Sequence, residues 1–444
     1  ALADGAVATN RLAVSATTLS VAPGATATPG VDYNGTTSNA DTAFAVANQQ
    51  ISGASAITAD VEEAAGVSVA VTGTTLQSEV KVDGNIVDAS ALSNKATNSV
   101  SLAGTTVATD AGLLNVQSSA AGVTATVEKV AAGTALDAGI STTLAAITNS
   151  ALTSDGNLVR ASAQGNTAGN TLIVAATTLD GTSNAKPVAT TLNTADVSAL
   201  ADYSLANSQI LSGAGITAKD LGSKIAVTTG AGLSSSLQMA NNAQDTSATG
   251  NTATNGIGLS GTTMDVGAAI ASQQGTTASA NVTATTTASA SLTAASMGTG
   301  STATVSGNVI QARALSANTS NAISVDATTV TLPTVEAGVS PVATLASTGG
   351  TAKAGFTTLN EQNVAGDTLA TINAEAAATS AIKLAVTGGV TGGSELVNDS
   401  NSLTARAQGA VTANSTNLNI GGTLSSGTAA AGGAAITPLT GALW

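Results

Sequence analysis

The sequence predicts an all-β repeat protein, a β-solenoid-like stack of short strands turning at Gly/Asn corners. Three observations predict it: one strand pattern recurs six times, apolar and polar positions alternate regularly within it, and the side chains are too small for an ordinary core. The copies are anchored on Asn10, Asn98, Asn170, Asn255, Asn321 and Asn414. A recurring unit makes the chain a stack of similar pieces, and shifts the expectation from enzyme toward scaffold or fibre.

Each copy reads as strand, corner, strand. Two residues after the anchor stand Leu12, Val100, Leu172, Ile257, Ile323 and Thr416, and four after it stand Val14, Leu102, Val174, Leu259, Val325 and Leu418. Such alternation gives a strand with one buried face. Thr-Thr follows in five copies, then Leu19, Val107, Leu179, Met264 and Val330, whereas the sixth copy has Gly421-Gly422 in place of Thr-Thr. Before the anchor the inward positions taper to Ala, as in Val87, Ala89 and Ala91 or Val159, Ala161 and Ala163. A narrow interior asks for this. Ser93-Asn94, Gly165-Asn166, Gly250-Asn251 and Gly409-Ala410 form the corners, and Gly and Asn tolerate positive φ. Pro23, Pro187 and Pro333 mark strand ends.

The anchors are 88, 72, 85, 66 and 93 residues apart, so each unit is expected to hold several coils with variable loops. A second motif alternates with the first, from Ala47 to Ile57 and from Ala206 to Ile216, with looser copies from Gln117 to Val123 and Gln274 to Val282. Helix formers cluster in 59–65 and 372–379 without a long 3.6 period. The expected organisation is an incomplete N-terminal repeat, 1–21, a linker, 22–47, an elongated repeat domain, 48–425, and a tail, 426–444, ending in Trp444.

Composition supports the same class. Aromatics are 1% of the 444 residues, so the core lacks its largest hydrophobic contributors. The apolar 43% is mostly Ala and Val. Backbone pairing between stacked strands must then do much of the holding. Charged residues are 9%, which alone fits disorder, but the apolar alternation argues for order. A net charge of −14 disfavours nucleic acid and anionic membrane surfaces. No run approaches the ~18 apolar residues of a membrane helix. The chain opens Ala1-Leu-Ala-Asp, as a chain would after cleavage at a small-residue site.

With no Cys and no His, thiolate and imidazole metal sites and the commonest general base are missing. No catalytic residue, cofactor or transition metal is therefore expected. Ser183-Asn-Ala-Lys186 matches S-x-x-K, but neither S-D-N nor K-T-G accompanies it, so it reads as a surface loop. Asp83 and Asp155 precede Gly-Asn and read as turn formers, with Ca2+ binding as the alternative. Arg11, Arg160, Arg313 and Arg406 read as outward strand positions that blunt lateral association, or else as inter-subunit contacts. The repeated Asn positions can stack as amide ladders, serve as turn residues, or both.

Gln164-Gly-Asn166-Thr-Ala168 and Gly250-Asn-Thr-Ala-Thr-Asn255 resemble the strand-turn-strand repeats of curlins, bacterial surface amyloid fibres. The Ala/Thr/Gly/Asn/Val-rich, Cys-free composition resembles bacterial β-solenoid adhesins, fibre proteins and S-layer proteins. The resemblance implies a secreted structural subunit, partnered by itself head to tail. An adhesin or phage-fibre shaft that binds a receptor or glycan is the alternative. The expected assembly residues are Arg11, Leu12, Val14 and Leu19 at one end and Trp444 at the other.

Overall fold

The computed structural model describes residues 1–21, 30–33, 38–62, 66–127, 139–181, 188–192, 197–332, 342–345, 350–374 and 380–426. Among these residues all regular structure is strand; none is helical, including the described parts of the two helix-former clusters. Strands are numbered along the chain.

Four parallel sheets are visited in the same order again and again. The first holds β1 (Leu2–Ser15), β9 (Ile86–Ala108), β14 (Leu158–Asp180), β20 (Ala243–Asp265), β24 (Val309–Leu332) and β31 (Ser402–Ser426), with β2 (Thr18–Ser20) beside β9. The second holds β5 (Phe44–Ser52), β10 (Ala111–Ser119), β17 (Tyr203–Leu211), β21 (Ala268–Thr276) and β27 (Phe356–Val364). The third stacks β6 (Ile57–Val61), β11 (Val123–Val127), β18 (Ile216–Leu233), β22 (Val282–Met297) and β28 (Thr368–Ala374). In the same sheet β12 (Gly139–Thr148) lies along the far half of β18, β7 (Val67–Leu76) lies along β12, and β29 (Ile382–Val386) lies along β22. The fourth holds β8 (Glu79–Asp83), β13 (Ala151–Asp155), β19 (Ser236–Ala240), β23 (Thr302–Ser306) and β30 (Glu395–Asp399).

Two expectations are corrected. Each repeat unit is one circuit through the four sheets, not several, and the six anchors stand in one register column from Asn10↔Asn98 to Asn321↔Asn414. The varied spacing comes from insertions between sheets, which leave the register untouched. The strands of the first sheet are also long, 23 residues in β9, β14 and β20 and 25 in β31. The predicted corner is a bend inside a strand. Gly165 and Asn166 both face inward, so the alternation slips by one position, and neither has a positive φ. A Cβ on Gly165 would meet the Gly250 carbonyl oxygen of the next layer at 2.7 Å, which favours glycine at that point.

Left-handed backbone occurs elsewhere. Gly84, Gly156, Asn241, Gly307 and Ser400 have φ of 67°, 62°, 51°, 65° and 55°, and they turn the chain from the fourth sheet into the first. Asp83 and Asp155 sit at these turns, and Asp83 Oδ1 accepts the Asp155 N–H at 3.1 Å.

The bend divides the interior. Before it, Val159, Ala161 and Ala163 pack against Ile216, Ala218 and Ile225 of the third sheet, and alanine lets the two sheets approach. After it, Leu172, Val174 and Leu179 pack against Tyr203 and Leu205 of the second sheet. The predicted inward positions are thus confirmed, and Val100, Leu172 and Val174 are fully buried.

One element was not anticipated. β3 (Gly30–Tyr33), β4 (Ser38–Asp41), β15 (Val188–Leu192), β16 (Val197–Ala201), β25 (Val342–Leu345) and β26 (Gly350–Lys353) form a six-stranded lateral sheet. Its strands come from insertions between the first and second sheets. Val31, Ala199 and Ala201 cover the outward Leu114, Val116, Ala206 and Ala269, so β10, β17 and β21 of the second sheet are buried on both faces. The stretch 22–47 expected to be a linker therefore contributes β3, β4 and the start of β5, while 22–29 and 34–37 lie outside the described residues.

Candidate assembly edges and the buried amide columns

The bend, the second motif and the corners all deliver amide side chains to the interior. Nδ2 of each anchor donates to Oδ1 of the next: Asn10 to Asn98, Asn98 to Asn170, Asn170 to Asn255, Asn255 to Asn321 and Asn321 to Asn414, each at 2.8 Å. A second column lies beside it, from Asn48 to Asn115 to Asn207, again at 2.8 Å. Cross-bonds tie the columns, as from Asn98 to Asn115 at 3.1 Å.

Gln50, Gln117, Gln209, Gln274 and Gln362 form a third column whose donors run the opposite way, Gln117 to Gln50 and Gln209 to Gln117 at 2.7 Å. Their second N–H groups bond carbonyls near the bend of the first sheet, such as Gln117 to Thr167 at 2.9 Å and Gln209 to Thr252 at 2.8 Å. Asn94, Asn166 and Asn251 at the bend itself form a further column. Buried amides are costly unless paired, and here both donor and acceptor are used. Opposite polarity in adjacent columns also offsets their dipoles.

The ladder reading of the Asn repeats is thus confirmed. The sequence also carries a column that went unread: Asn85, Asn157, Asn242, Asn308 and Asn401 each stand thirteen positions before an anchor. They stack at 2.9 to 3.0 Å just after the left-handed turn residues. Constant distance to the anchor was the available signal.

The arginines divide. Arg160 makes a two-pronged contact with Asp88, one layer away, at 2.9 and 2.8 Å, and Arg313 reaches Asp245 at 2.8 Å. Asp88 holds the Arg160 guanidinium more firmly protonated than usual by accepting its hydrogen bonds. Both arginines face outward, as expected, and each is paired with an aspartate of its own chain. Arg406 stands in register with Arg313 and is exposed.

Acidic groups gather where the first sheet hands the chain to the second. Asp110 and Asp202 precede the register pair Ala111↔Tyr203 and are stacked one layer apart, both buried. Burial pushes Asp202 up to about 7, helped by Asp110 and Asp265, against the lowering effect of the Gly267 N–H bonded to its Oδ2 at 2.7 Å. The buried Tyr203 hydroxyl beside them is pushed up as well. Among the described residues no group of three or more His, Cys, Asp or Glu is placed to hold a metal ion.

At the two ends of the first sheet the strands have one described neighbour each, β2 pairing with β9 alone. β1 pairs only with β9, and β31 only with β24. Of the expected assembly residues, Leu12 and Val14 are half-buried on the inward face of β1 opposite Val100 and Leu102. Leu19 on β2 is buried opposite Val107, and Arg11 faces outward opposite Ser99. Trp444 lies outside the described residues, as do Ser183, Lys186 and the three prolines named above. At the other end the missed candidates are Leu403, Leu418 and Leu424. They continue the buried columns of Ile310, Val325 and Val330, yet are 55%, 41% and 51% exposed. An open cleft of about 520 Å3 lies beside Leu403, lined also by Ile382, Asn398, Asp399 and Asn401 among others.

No protein family matches this chain, no curated protein matches it, and no solved structure matches its fold. No helix among the described residues is long and apolar enough to cross a membrane.

Proposed function

We propose that this chain is a secreted structural subunit of a bacterial filament, sheath or surface layer, wound as a β-solenoid and assembling with itself through its ends. The observation that carries this reading is the state of the two outer strands of the first sheet. Among the described residues β1 and β31 each leave one backbone edge without a strand, and β31 exposes leucines whose register partners are buried. An unpaired strand edge is a template for another strand, and apolar groups beside it add to the gain. On the lateral faces Arg160 and Arg313 are already paired within the chain. The curlin-like segments 164–168 and 250–255 fit the same role. No cofactor and no catalytic group enters this function.

Electron microscopy of the purified chain tests it. Filaments whose length grows with protein concentration are the expected result. Monodisperse rods at every concentration would overturn the reading in favour of a receptor-binding shaft.

A further inference from the structure

We infer that the partner of the β31 edge is the β1 edge of a second copy, added in parallel with Asn414 opposite Asn10. This rests on the end-to-end reading above and specifies its joint. Three properties of the two edges select this partner and this register.

Polarity comes first. Along the anchor column every Nδ2 donates toward the C-terminal layers. The column therefore ends with the Asn10 Oδ1 as acceptor at one edge and the Asn414 Nδ2 as donor at the other. A second copy placed by translation along the stack joins donor to acceptor. A copy turned end over end would set donor against donor, or acceptor against acceptor.

Register of the apolar positions comes second. With Asn10 opposite Asn414, Leu12 falls opposite Thr416 and Val14 opposite Leu418. Leu19 falls in the column that ends at Leu424, because it pairs with Val107. Within the first sheet the joint repeats a strand pairing that the chain already makes five times. A one-residue slip would turn every one of these side chains to the other face.

Charge comes third. Arg406 sits directly above Arg313, a like charge, and no hydrogen bond or ion pair to it is found among the described residues. In the proposed register Asp4 of the second copy lies on the same outward face, two positions along from Arg406. Arg313 and Asp245 are offset by two positions along the same diagonal, with the charges exchanged, and they bond. The joint thus supplies a carboxylate to the one arginine stacked on another. Among the described residues the second, third and fourth sheets end one layer lower than β31, so the joint carries a step one layer deep, about 4.8 Å.

Site-specific disulfides test this, because the chain has no native cysteine. Thr9 and Ala413 share one outward register column, since Thr9 pairs with Thr97 and Ala413 ends that column. Across the joint their Cα atoms come about 5 Å apart, within disulfide range. Within one molecule five layers, about 24 Å, separate them, so any bond is intermolecular. The double variant Thr9→Cys/Ala413→Cys, oxidised under assembly conditions, is expected to give a ladder of covalent oligomers on a non-reducing gel. The displaced pair Thr9→Cys/Asn417→Cys, about 13 Å out of register, is expected to stay monomeric. Equal cross-linking of both pairs overturns the register. Covalent dimers from Ala413→Cys alone overturn head-to-tail polarity. Filaments by microscopy without cross-linking of the first pair overturn this joint and leave the end-to-end reading standing. Neither filaments nor cross-links overturn both.

Discussion

Replacing Asp202 by asparagine is expected to stabilise the protein at pH 8 and to leave it unchanged at pH 3. Asp202 is 7% exposed and stacked one layer above the buried Asp110. Its folded value of about 7 stands about 3 units above the ordinary 3.8. Below pH 3.8 both states hold the proton and the carboxyl is neutral. As pH rises from 3.8 to 7 the unfolded chain releases its proton while the folded chain keeps it, so stability falls across that window and levels off above it. At 1.36 kcal/mol per unit the loss reaches about 4 kcal/mol. An asparagine amide at this position would keep an oxygen to accept the Gly267 N–H and would carry no charge at any pH. The assay is urea unfolding of Asp202→Asn and the wild type at both pH values. An advantage of about 4 kcal/mol at pH 8 that vanishes at pH 3 is expected. A pH-independent difference, or a variant less stable at pH 8, would refute the buried-carboxylate reasoning.

Other outcomes follow from the interior. Leu172→Asp or Val174→Asp places a carboxylate at a fully buried site and should cost roughly several kcal/mol, read as a lower melting temperature; wild-type melting in both would sink the assigned register. Asn170→Ala leaves the Asn98 donor and the Asn255 acceptor without their partner and should cost about 2–6 kcal/mol, at about 1–3 for each orphaned group; an effect no larger than that of a surface substitution would show that the column contributes nothing. Gln77 has a φ of 48° at an exposed turn, so Gln77→Gly should add about 0.5–1 kcal/mol, and a loss would mean its side chain holds the turn.

The strand register was legible because it rests on period-2 alternation within one short stretch. Leu172, Val174 and the Asn170 column could be read from residues that stand side by side. The circuit was not legible as one unit, because the insertions carrying β15, β16, β25 and β26 break the spacing without breaking the stack. Nothing local in Val188–Leu192 says that it will pair with Gly30–Tyr33 two circuits away. The bend was misread as a turn because Gly-Asn is the residue pair of a left-handed corner. At 165–166 it serves a close approach between layers instead, while the same pair at 84–85 and 156–157 does make the left-handed turn. Local composition cannot separate these uses, since the difference lies in which layer stands above. The end leucines, Leu403, Leu418 and Leu424, were hidden for a related reason: their sequence pattern matches that of buried copies, and only the lack of a described layer beyond them sets them apart.

The amide columns also answer a problem that the alanines create. Val159, Ala161 and Ala163 face a third sheet that also presents alanine, and a strand slipped by two residues would keep its inward face inward and bury nearly the same area. Apolar packing alone therefore discriminates weakly between registers in this half of the interior. A two-residue slip at the anchor would set Asn170 opposite the positions of Ala168 or Leu172 in its neighbours and orphan a donor on one side and an acceptor on the other. At about 1–3 kcal/mol per orphaned group, each slipped junction costs more than the packing difference it removes. Buried polar residues fix register in this way in coiled coils. Here each strand of the first sheet that passes through the bend carries its own marker, from Asn10 to Asn414. A low-aromatic, alanine-rich chain can thus hold a unique stack, because the step that selects the register is polar and the step that stabilises it is the repetition of small apolar contacts.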